Sequence, residues 1–389
     1  MKADINILRE EFFKKYGNRD SRPVIFYSPG RVNLIGEHTD YNGGYVFPCA
    51  LDFGTYLVIR KSAQPEIKLS TLNFPGDIRI PVTATFTRLE KSWTNYPVGV
   101  INEFAKRGIG VSGMEMLFYG DIPNGAGLSS SASIEMVTAV AINDLFGVNL
   151  PMMELVKMGQ KAENEFVGMN CGIMDQFAVG FGKKDHAINL KCDTLEYKYA
   201  PLNLGSSRII ITNTNKRRGL TDSKYNERRS ECDRAVELVS PHHPIKTLSD
   251  ITSDELWLLD KYITDEVIRR RAKHVITENA RTLEAIKALE KNDIRKMGKL
   301  MNESHDSLCK DYEVTGFELD TLVYEGRKLQ GVIGSRMTGA GFGGCTVSIV
   351  EDEHAEAFME KLSKAYKTKT GLKADFYLPN IGDGARKLD

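Results

Sequence analysis

Gly120-Asp121-Ile122-Pro123-Asn124-Gly125-Ala126-Gly127-Leu128-Ser129-Ser130-Ser131-Ala132-Ser133 lies between two contrasting segments. Residues 114–119 form an apolar run of strand length, and residues 134–146 repeat Ile134, Val137, Ala141 and Leu145 at helical spacing. The stretch therefore reads as a glycine-rich loop entering the first turn of a helix. Lacking a Cβ, Gly125 and Gly127 let backbone N–H groups close on a bulky anion. The serines add hydroxyl donors where the first N–H groups of the helix have no partners and the dipole is positive. In physical terms this is a phosphate cradle. It is not a Walker A loop, because no Gly-Lys-Ser/Thr closes it. A loop that merely turns the chain is the plainer alternative, and the surrounding sequence has to decide.

Two further stretches are polar and punctuated by glycine. Ser28-Pro29-Gly30-Arg31-Val32-Asn33-Leu34-Ile35-Gly36-Glu37-His38-Thr39-Asp40-Tyr41-Asn42-Gly43-Gly44 follows a short buried strand expected at 24–27. It reads as a loop folded back by its glycines and anchored by Val32, Leu34 and Ile35. A buried strand would not accept Glu37, His38 and Asp40 together without partners. The pattern suits a polyhydroxyl ligand, whose hydroxyls need donors and acceptors fanned around a ring. Gly334-Ser335-Arg336-Met337-Thr338-Gly339-Ala340-Gly341-Phe342-Gly343-Gly344-Cys345 reads as a second glycine-rich loop, dense enough to imply close backbone approach.

Between these stretches, residues 152–166 read as a helix carrying Glu163 near its end, where a solvated acid is the ordinary expectation. Gly168-Met169-Asn170-Cys171-Gly172-Ile173-Met174-Asp175-Gln176-Phe177 reads as an apolar loop around Asp175, for which a helix cap is the plainer role. Trp93 and Tyr96 open a helix and could stack on a base or simply pack. Strands are expected at 46–50, 55–60, 67–70, 78–81, 187–190, 208–212, 345–350 and 374–377. Helices are expected at 4–16, 223–239, 264–290, 294–308, 317–329 and 355–367. The charge runs Glu227-Arg228-Arg229 and Arg269-Arg270-Arg271 read as solvated faces.

A chain of 389 residues suggests about two domains, with a boundary near 201–207. Lys+Arg and Asp+Glu are equal at 52 each, which argues against broad binding to nucleic acid or anionic membranes. The 6 cysteines are scattered without a CxxC pair, so neither a metal knuckle nor a disulfide framework is supported. Free thiols and the lack of an apolar leader read as cytoplasmic.

A phosphate cradle, a polyol loop and an isolated aspartate together describe phosphoryl transfer to a sugar hydroxyl. That chemistry needs positioning and charge neutralisation rather than covalent help. It calls for a base to accept the hydroxyl proton, a cation to offset phosphoryl charge, and a few oxygen ligands for Mg²⁺.

The three loops resemble the three motifs of the GHMP small-molecule kinases. The first, from Gly30 to Gly44, is similar to the signature of the branch that phosphorylates galactose. The run from Cys171 to Phe177 and the Ser223-Lys224-Tyr225-Asn226 region also fit, so the resemblance covers nearly the whole chain. It implies a two-domain α+β fold with the active site between the domains. Residues 1–200 would form an N-terminal domain of the ribosomal protein S5 domain 2 type, and residues 201–389 the C-terminal GHMP kinase domain. The implied reaction is ATP- and Mg²⁺-dependent phosphorylation of α-D-galactose at its C1 hydroxyl, giving galactose 1-phosphate and ADP, the entry to galactose catabolism.

The resemblance also implies roles. Asp175 would take the hydroxyl proton, and Arg31 would orient Asp175 and stabilise the transferring phosphoryl group. Glu37, His38, Thr39 and Asp40 would line the galactose pocket, with Tyr225 closing it from the other domain. Gly125, Ala126, Gly127, Leu128, Ser129, Ser130 and Ser131 would wrap the ATP phosphates, and Ser131 and Glu163 would hold Mg²⁺. Ser70, Trp93 and Tyr96 would lie near the base or ribose, and the third loop would support the other two. Galactose and ATP are the expected partners of a monomer, with no nucleic acid or membrane. Two rivals are a kinase for a related hexose such as N-acetylgalactosamine or galacturonate, and a non-catalytic galactose sensor. Sensors of that kind lack a Ser-Ala pair in the phosphate loop, whereas Ser131-Ala132 is present here.

Overall fold

The computed structural model describes residues 4–18, 21–90, 92–123, 125–216 and 221–389, so Asn124 of the quoted loop lies outside it, as does the side chain of Ser223. Helix α1 (Ile5–Tyr16) is capped by Asp4, whose carboxylate accepts the Asn6 N–H at 2.8 Å, and is stopped by Gly17 at φ 76°. There follow β1 (Val24–Asn33), β2 (Tyr45–Val46), β3 (Pro48–Ser62), β4 (Glu66–Thr71), β5 (Asp77–Pro81), α2 (Asn95–Lys106), β6 (Gly113–Gly120) and α3 (Ser130–Leu145). Next come α4 (Met152–Lys161), α5 (Met174–Phe181), β7 (His186–Lys191), β8 (Glu196–Pro201) and β9 (Ser207–Asn213). Five helices follow: α6 (Thr221–Val239), α7 (Trp257–Tyr262), α8 (Glu266–Glu290), α9 (Ile294–Ser307) and α10 (Phe317–Gly326). The chain ends with β10 (Val332–Thr338), β11 (Cys345–Glu351), α11 (Ala355–Thr370), β12 (Asp375–Tyr377) and β13 (Arg386–Lys387).

The first sheet has the order β13-β1-β3-β6-β4-β5, and its β4–β6 pair is parallel. Alternation along the strands sorts its side chains by face. Leu57, Ile59, Met116 and Phe118 pack with α2 to α5, while Tyr56, Val58 and Leu117 pack beneath α1 on Leu8 and Phe12. A second sheet, β10-β11-β9-β12, is likewise covered on both faces. One of its faces joins the halves of the chain. Ile209, Ile211, Val347 and Ile349 share a core with Met301 and Ile286, and also with Val32, Leu34, Phe47 and Leu128 of the N-terminal half. Each such buried side chain contributes about 1.5–3 kcal/mol, so this seam fixes where the loops meet. Strand β13 returns to pair with β1, so we propose the division at residue 200 with the last residues rejoining the first layer.

Several expectations need correction. The strand expected at 24–27 continues through Asn33, because β1 stays paired with β3 past a register shift between Pro29 and Arg31. The strands expected at 46–50 and 55–60 are largely one, β3, which passes so close to β1 that a Cβ on Gly54 would lie 2.0 Å from the Ser28 carbonyl. Asp175 stands in the first turn of α5 rather than in a loop. Helix α4 gives way to a π-helical turn, Ala162–Val167. Residues 334–338 belong to β10, leaving 339–344 as the loop. The arginine runs are not wholly solvated: Arg228 and Arg271 are buried, and Arg271 pairs with Glu231 at 3.0 Å and Glu313 at 2.6 Å. Among the described residues, no helix is long and apolar enough to cross a membrane.

Candidate active site

The end of β1, the turn after it, the glycine-serine loop, the start of α5 and the 339–344 loop converge on a cavity of about 260 Å³. Arg31 reaches it from β1. Its Nε and Nη2 donate to Asp175 Oδ1 and Oδ2, both at 2.8 Å, a bidentate fork that fixes the carboxylate plane. Arg31 Nη1 donates to the Gly127 carbonyl at 2.9 Å, and the Arg31 N–H donates to the Leu128 carbonyl at 3.1 Å. The glycine-serine loop is thus tied to the strand beneath it, and Gly30 must lack a side chain, since a Cβ there would lie 2.8 Å from the Leu128 carbonyl. Ser129 precedes α3 in the left-handed region at φ 61° and donates its hydroxyl to Asp175 Oδ2 at 2.5 Å. Arg31 is buried, while the Asp175 side chain keeps 26% exposure toward the cavity.

The turn after β1 supplies three groups to the same cavity: Glu37, His38 and Asp40. Glu37 is buried and takes hydrogen bonds from Asn33 Nδ2 and the Gly339 N–H, with Arg336 Nη2 at 3.0 Å. Burial pushes its carboxyl up, against the pull of Arg336 and then Arg31. His38 adopts φ 62°; its Nδ1 meets the Tyr41 hydroxyl at 2.8 Å, and its buried Nε2 has no well-formed hydrogen bond among the described residues. Burial, and then the neighbouring His274, push His38 down to about 3, so its ring is neutral near pH 7. Asp40 is pushed up to about 7 by burial and by the charge of Asp175. Its carboxylate lies against Gly172, where a Cβ would fall 1.9 Å from Oδ2. Tyr225 of α6 lines the cavity from the other half of the chain, its ring 5.3 Å from that of Tyr41. Thr39 does not line it; its hydroxyl is spent on the Gly36 and Tyr45 carbonyls, holding the turn closed.

On the opposite wall stand Gly125, Gly127, Ser129, Ser130 and Ser131 at the start of α3. Gly125 and Gly127 have φ of 69° and 74°, a conformation that turns successive N–H groups to one side. Ala126 and Leu128 are buried and pack into the seam, contributing backbone to the loop. Tyr96 lines the cavity. Trp93 packs edge-on to Phe118 and Phe74 and does not line it. Ser70 is fully buried in β4, bonded to the Tyr16 hydroxyl and in reach of the Met116 carbonyl, away from the cavity.

Glu163 stands buried in the π-helical turn, a distortion frequent at functional sites. Its carboxylate takes hydrogen bonds from Ser131 and from Gln176 Nε2 at 2.6 Å, and among the described residues it has no cationic partner. Burial and then the charge of Asp175 push it up to about 7. A buried acid beside a hydroxyl at the cavity wall, lacking a cation, is an oxygen donor set that fits a divalent ion.

Sequence reasoning overlooked Arg336, Glu135 and Gln176. Arg336 was hidden by reading 334–345 as loop. The signal for Glu135 was available, because it falls among Ala132, Met136 and Ala139 on the inward face of α3.

The chain matches three family descriptions: "GHMP kinases N terminal domain" over residues 95–183, "Galactokinase galactose-binding signature" over 10–61 and "GHMP kinases C terminal" over 285–368. It is 54% identical to the galactokinase of Fusobacterium nucleatum, covering 98% of this chain and 99% of that protein. It is 49% identical to the galactokinase of Bacillus subtilis, again covering 98% and 99%. Among solved structures, the Lactococcus lactis galactokinase complexed with galactose superposes with a TM-score of 0.96 at 43% identity, covering 99% of this chain and 100% of that one. The mevalonate kinase of Methanococcus jannaschii shares the fold, with a TM-score of 0.67 at 20% identity over 94% of this chain and all of that one.

Proposed function

The chain belongs to the galactokinases, within the GHMP kinases, and from that premise we propose how its residues divide the work of phosphorylating galactose with ATP. The observation that carries the proposal is the bidentate Arg31–Asp175 pair at the cavity between the Glu37–His38–Asp40 turn and the glycine-serine loop. A sugar seated on that turn would present its C1 hydroxyl to Asp175, which would accept the proton as the oxygen attacks the γ-phosphorus. General-base assistance of this kind is worth about 10²–10⁴ in rate. Arg31 would keep Asp175 aimed, and its charge would offset that developing on the phosphoryl oxygens.

Asp40, neutral His38 and Glu37 would sort the sugar's hydroxyls as acceptors and donors, with Tyr225 covering them. Thr39 would act indirectly, by holding the turn. Gly125 to Ser131 would wrap the phosphates with N–H groups at the start of α3. Ser131 and Glu163 would hold Mg²⁺, whose charge would neutralise that of the β- and γ-phosphates. Tyr96 is the better candidate for contact with the nucleoside, whereas Ser70 and Trp93 would stabilise the sheet behind it. Every residue assigned here comes from one chain, so a monomer is sufficient. ATP use and 6 free cysteines support a cytoplasmic setting.

The test is a ³¹P NMR product assay with ATP and Mg²⁺ against galactose, N-acetylgalactosamine and galacturonate. The proposal expects an anomeric galactose 1-phosphate signal and much weaker turnover of the other two. Preferred turnover of either analogue would reassign the substrate, and galactose binding without turnover would favour a sensor.

A further inference from the structure

Behind the cavity wall, two buried acids meet on one amide. Gln176 follows Asp175 in the first turn of α5, so its side chain leaves the helix about 100° further round. Its Nε2 donates to Glu163 Oε2 at 2.6 Å and to Glu135 Oε2 at 2.9 Å. Glu135 and Gln176 are fully buried, and Glu163 is 6% exposed. Glu135 lies one helical turn beyond Ser131 on α3, so the helix that begins at the glycine-serine loop carries it inward.

None of the roles assigned above uses Glu135 or Gln176. Core packing alone gives no reason for them, since leucine and methionine would fill the same space without burying polar atoms. An amide nitrogen has two N–H groups. With one directed at Glu135, the other points at Glu163 and fixes which carboxylate oxygen stays free to face the cavity. Ser131, at the cavity wall, also donates to this carboxylate, and Cys171 Sγ meets Glu163 Oε2 at a long 3.5 Å, too weak to set a rotamer.

We propose that Gln176, braced by Glu135, is a positioning residue that holds Glu163 in the orientation needed to bind a divalent cation. This rests on the reading of Glu163 as a metal ligand. Asp175 and Gln176 then make one turn of α5 responsible for both the base and the metal's carboxylate. Groups that orient a ligand from behind change metal affinity about 10–100-fold when removed.

The experiment is a Mn²⁺ titration of the full chain with ADP, followed by electron paramagnetic resonance. Galactose binding by calorimetry and far-UV circular dichroism report the fold. Glu163→Ala tests the underlying reading. Gln176→Met and Glu135→Leu are expected to weaken Mn²⁺ binding about 10–100-fold while galactose affinity stays unchanged. Glu135→Gln should bind Mn²⁺ close to the unsubstituted protein, because its amide oxygen still accepts from Gln176. Full Mn²⁺ affinity in Glu163→Ala would defeat the ligand reading itself. Loss in Glu163→Ala with none in Gln176→Met and Glu135→Leu would overturn the positioning role alone. So would a loss in Glu135→Gln as large as in Glu135→Leu. Should Gln176→Met fail to fold, the two Glu135 variants decide.

Discussion

Replacing Arg336 with methionine removes the guanidinium paired with Glu37 inside the seam between the two halves of the chain. Arg336 is 0% exposed and Glu37 1% exposed. Arg336 Nη2 meets Glu37 Oε2 at 3.0 Å, Nη1 donates to the Asn33 carbonyl at 3.0 Å, and Nε donates to Ser304 Oγ at 3.2 Å. Methionine fills most of the volume but strands the carboxylate. Breaking a buried pair in this way costs about 3–5 kcal/mol. With about 2.1 cal/mol/K of unfolding entropy per residue, 389 residues carry roughly 0.8 kcal/mol/K, so Tm should fall by about 5 °C.

The cost should also depend on pH. Burial already pushes Glu37 up, and Arg336 is the first influence opposing it. Without Arg336, the folded-state pKa rises further above the unfolded value, so the variant's deficit grows as pH rises and shrinks toward acid. Adding Glu37→Gln should recover about 2 kcal/mol as coupling. Urea unfolding at pH 6 and pH 8, read by fluorescence and circular dichroism, measures all of these. A single variant within about 1 kcal/mol of the parent at both pH values, an ordinary surface effect, would refute the reasoning.

Further outcomes follow from the same geometry. Gly172→Ala would put a methyl 1.9 Å from Asp40 Oδ2, so the KM for galactose should rise about 10–100-fold with the KM for ATP little changed; equal shifts in both would contradict it. Because Glu163 is pushed up to about 7, the apparent Mg²⁺ affinity should fall about tenfold per pH unit below 7, and Glu163→Ala should weaken binding and flatten that slope. Arg271→Met should cost about 2 kcal/mol and Arg269→Met less than about 0.5 in denaturant titrations, because Arg271 is buried between two carboxylates whereas Arg269 is a partly exposed helix pair.

The glycine-serine stretch and the apolar run at 114–119 made the loop and its flanking elements legible, because close backbone approach and helix starts leave local marks. Sequence spacing placed α1, α3, α8, α9 and α11 within a few residues. It failed where burial is set by partners distant in sequence. The residues from Ser28 to Asn33 look like a polar loop, yet its two largest polar side chains meet partners distant in sequence or space: Arg31 meets Asp175, and Asn33 meets Glu37 and Thr338. Arg271 looks like one of three solvated cations until Glu231 and Glu313 are brought to it. Asp175 and Arg31 came together only through a resemblance to known proteins, since nothing local pairs residues 144 positions apart. The π-helical turn that carries Glu163 left no periodic signal, and the ordinary expectation of a solvated acid there was wrong.

The central claim is that Asp175, held by Arg31, takes the proton from the attacking hydroxyl. It is tested most directly by single-turnover phosphoryl transfer in Asp175→Asn with galactose affinity measured on the same sample. Transfer slowed by about 10³ or more, with galactose binding and the circular dichroism spectrum retained, is the result expected. Transfer at near the parent rate would contradict it.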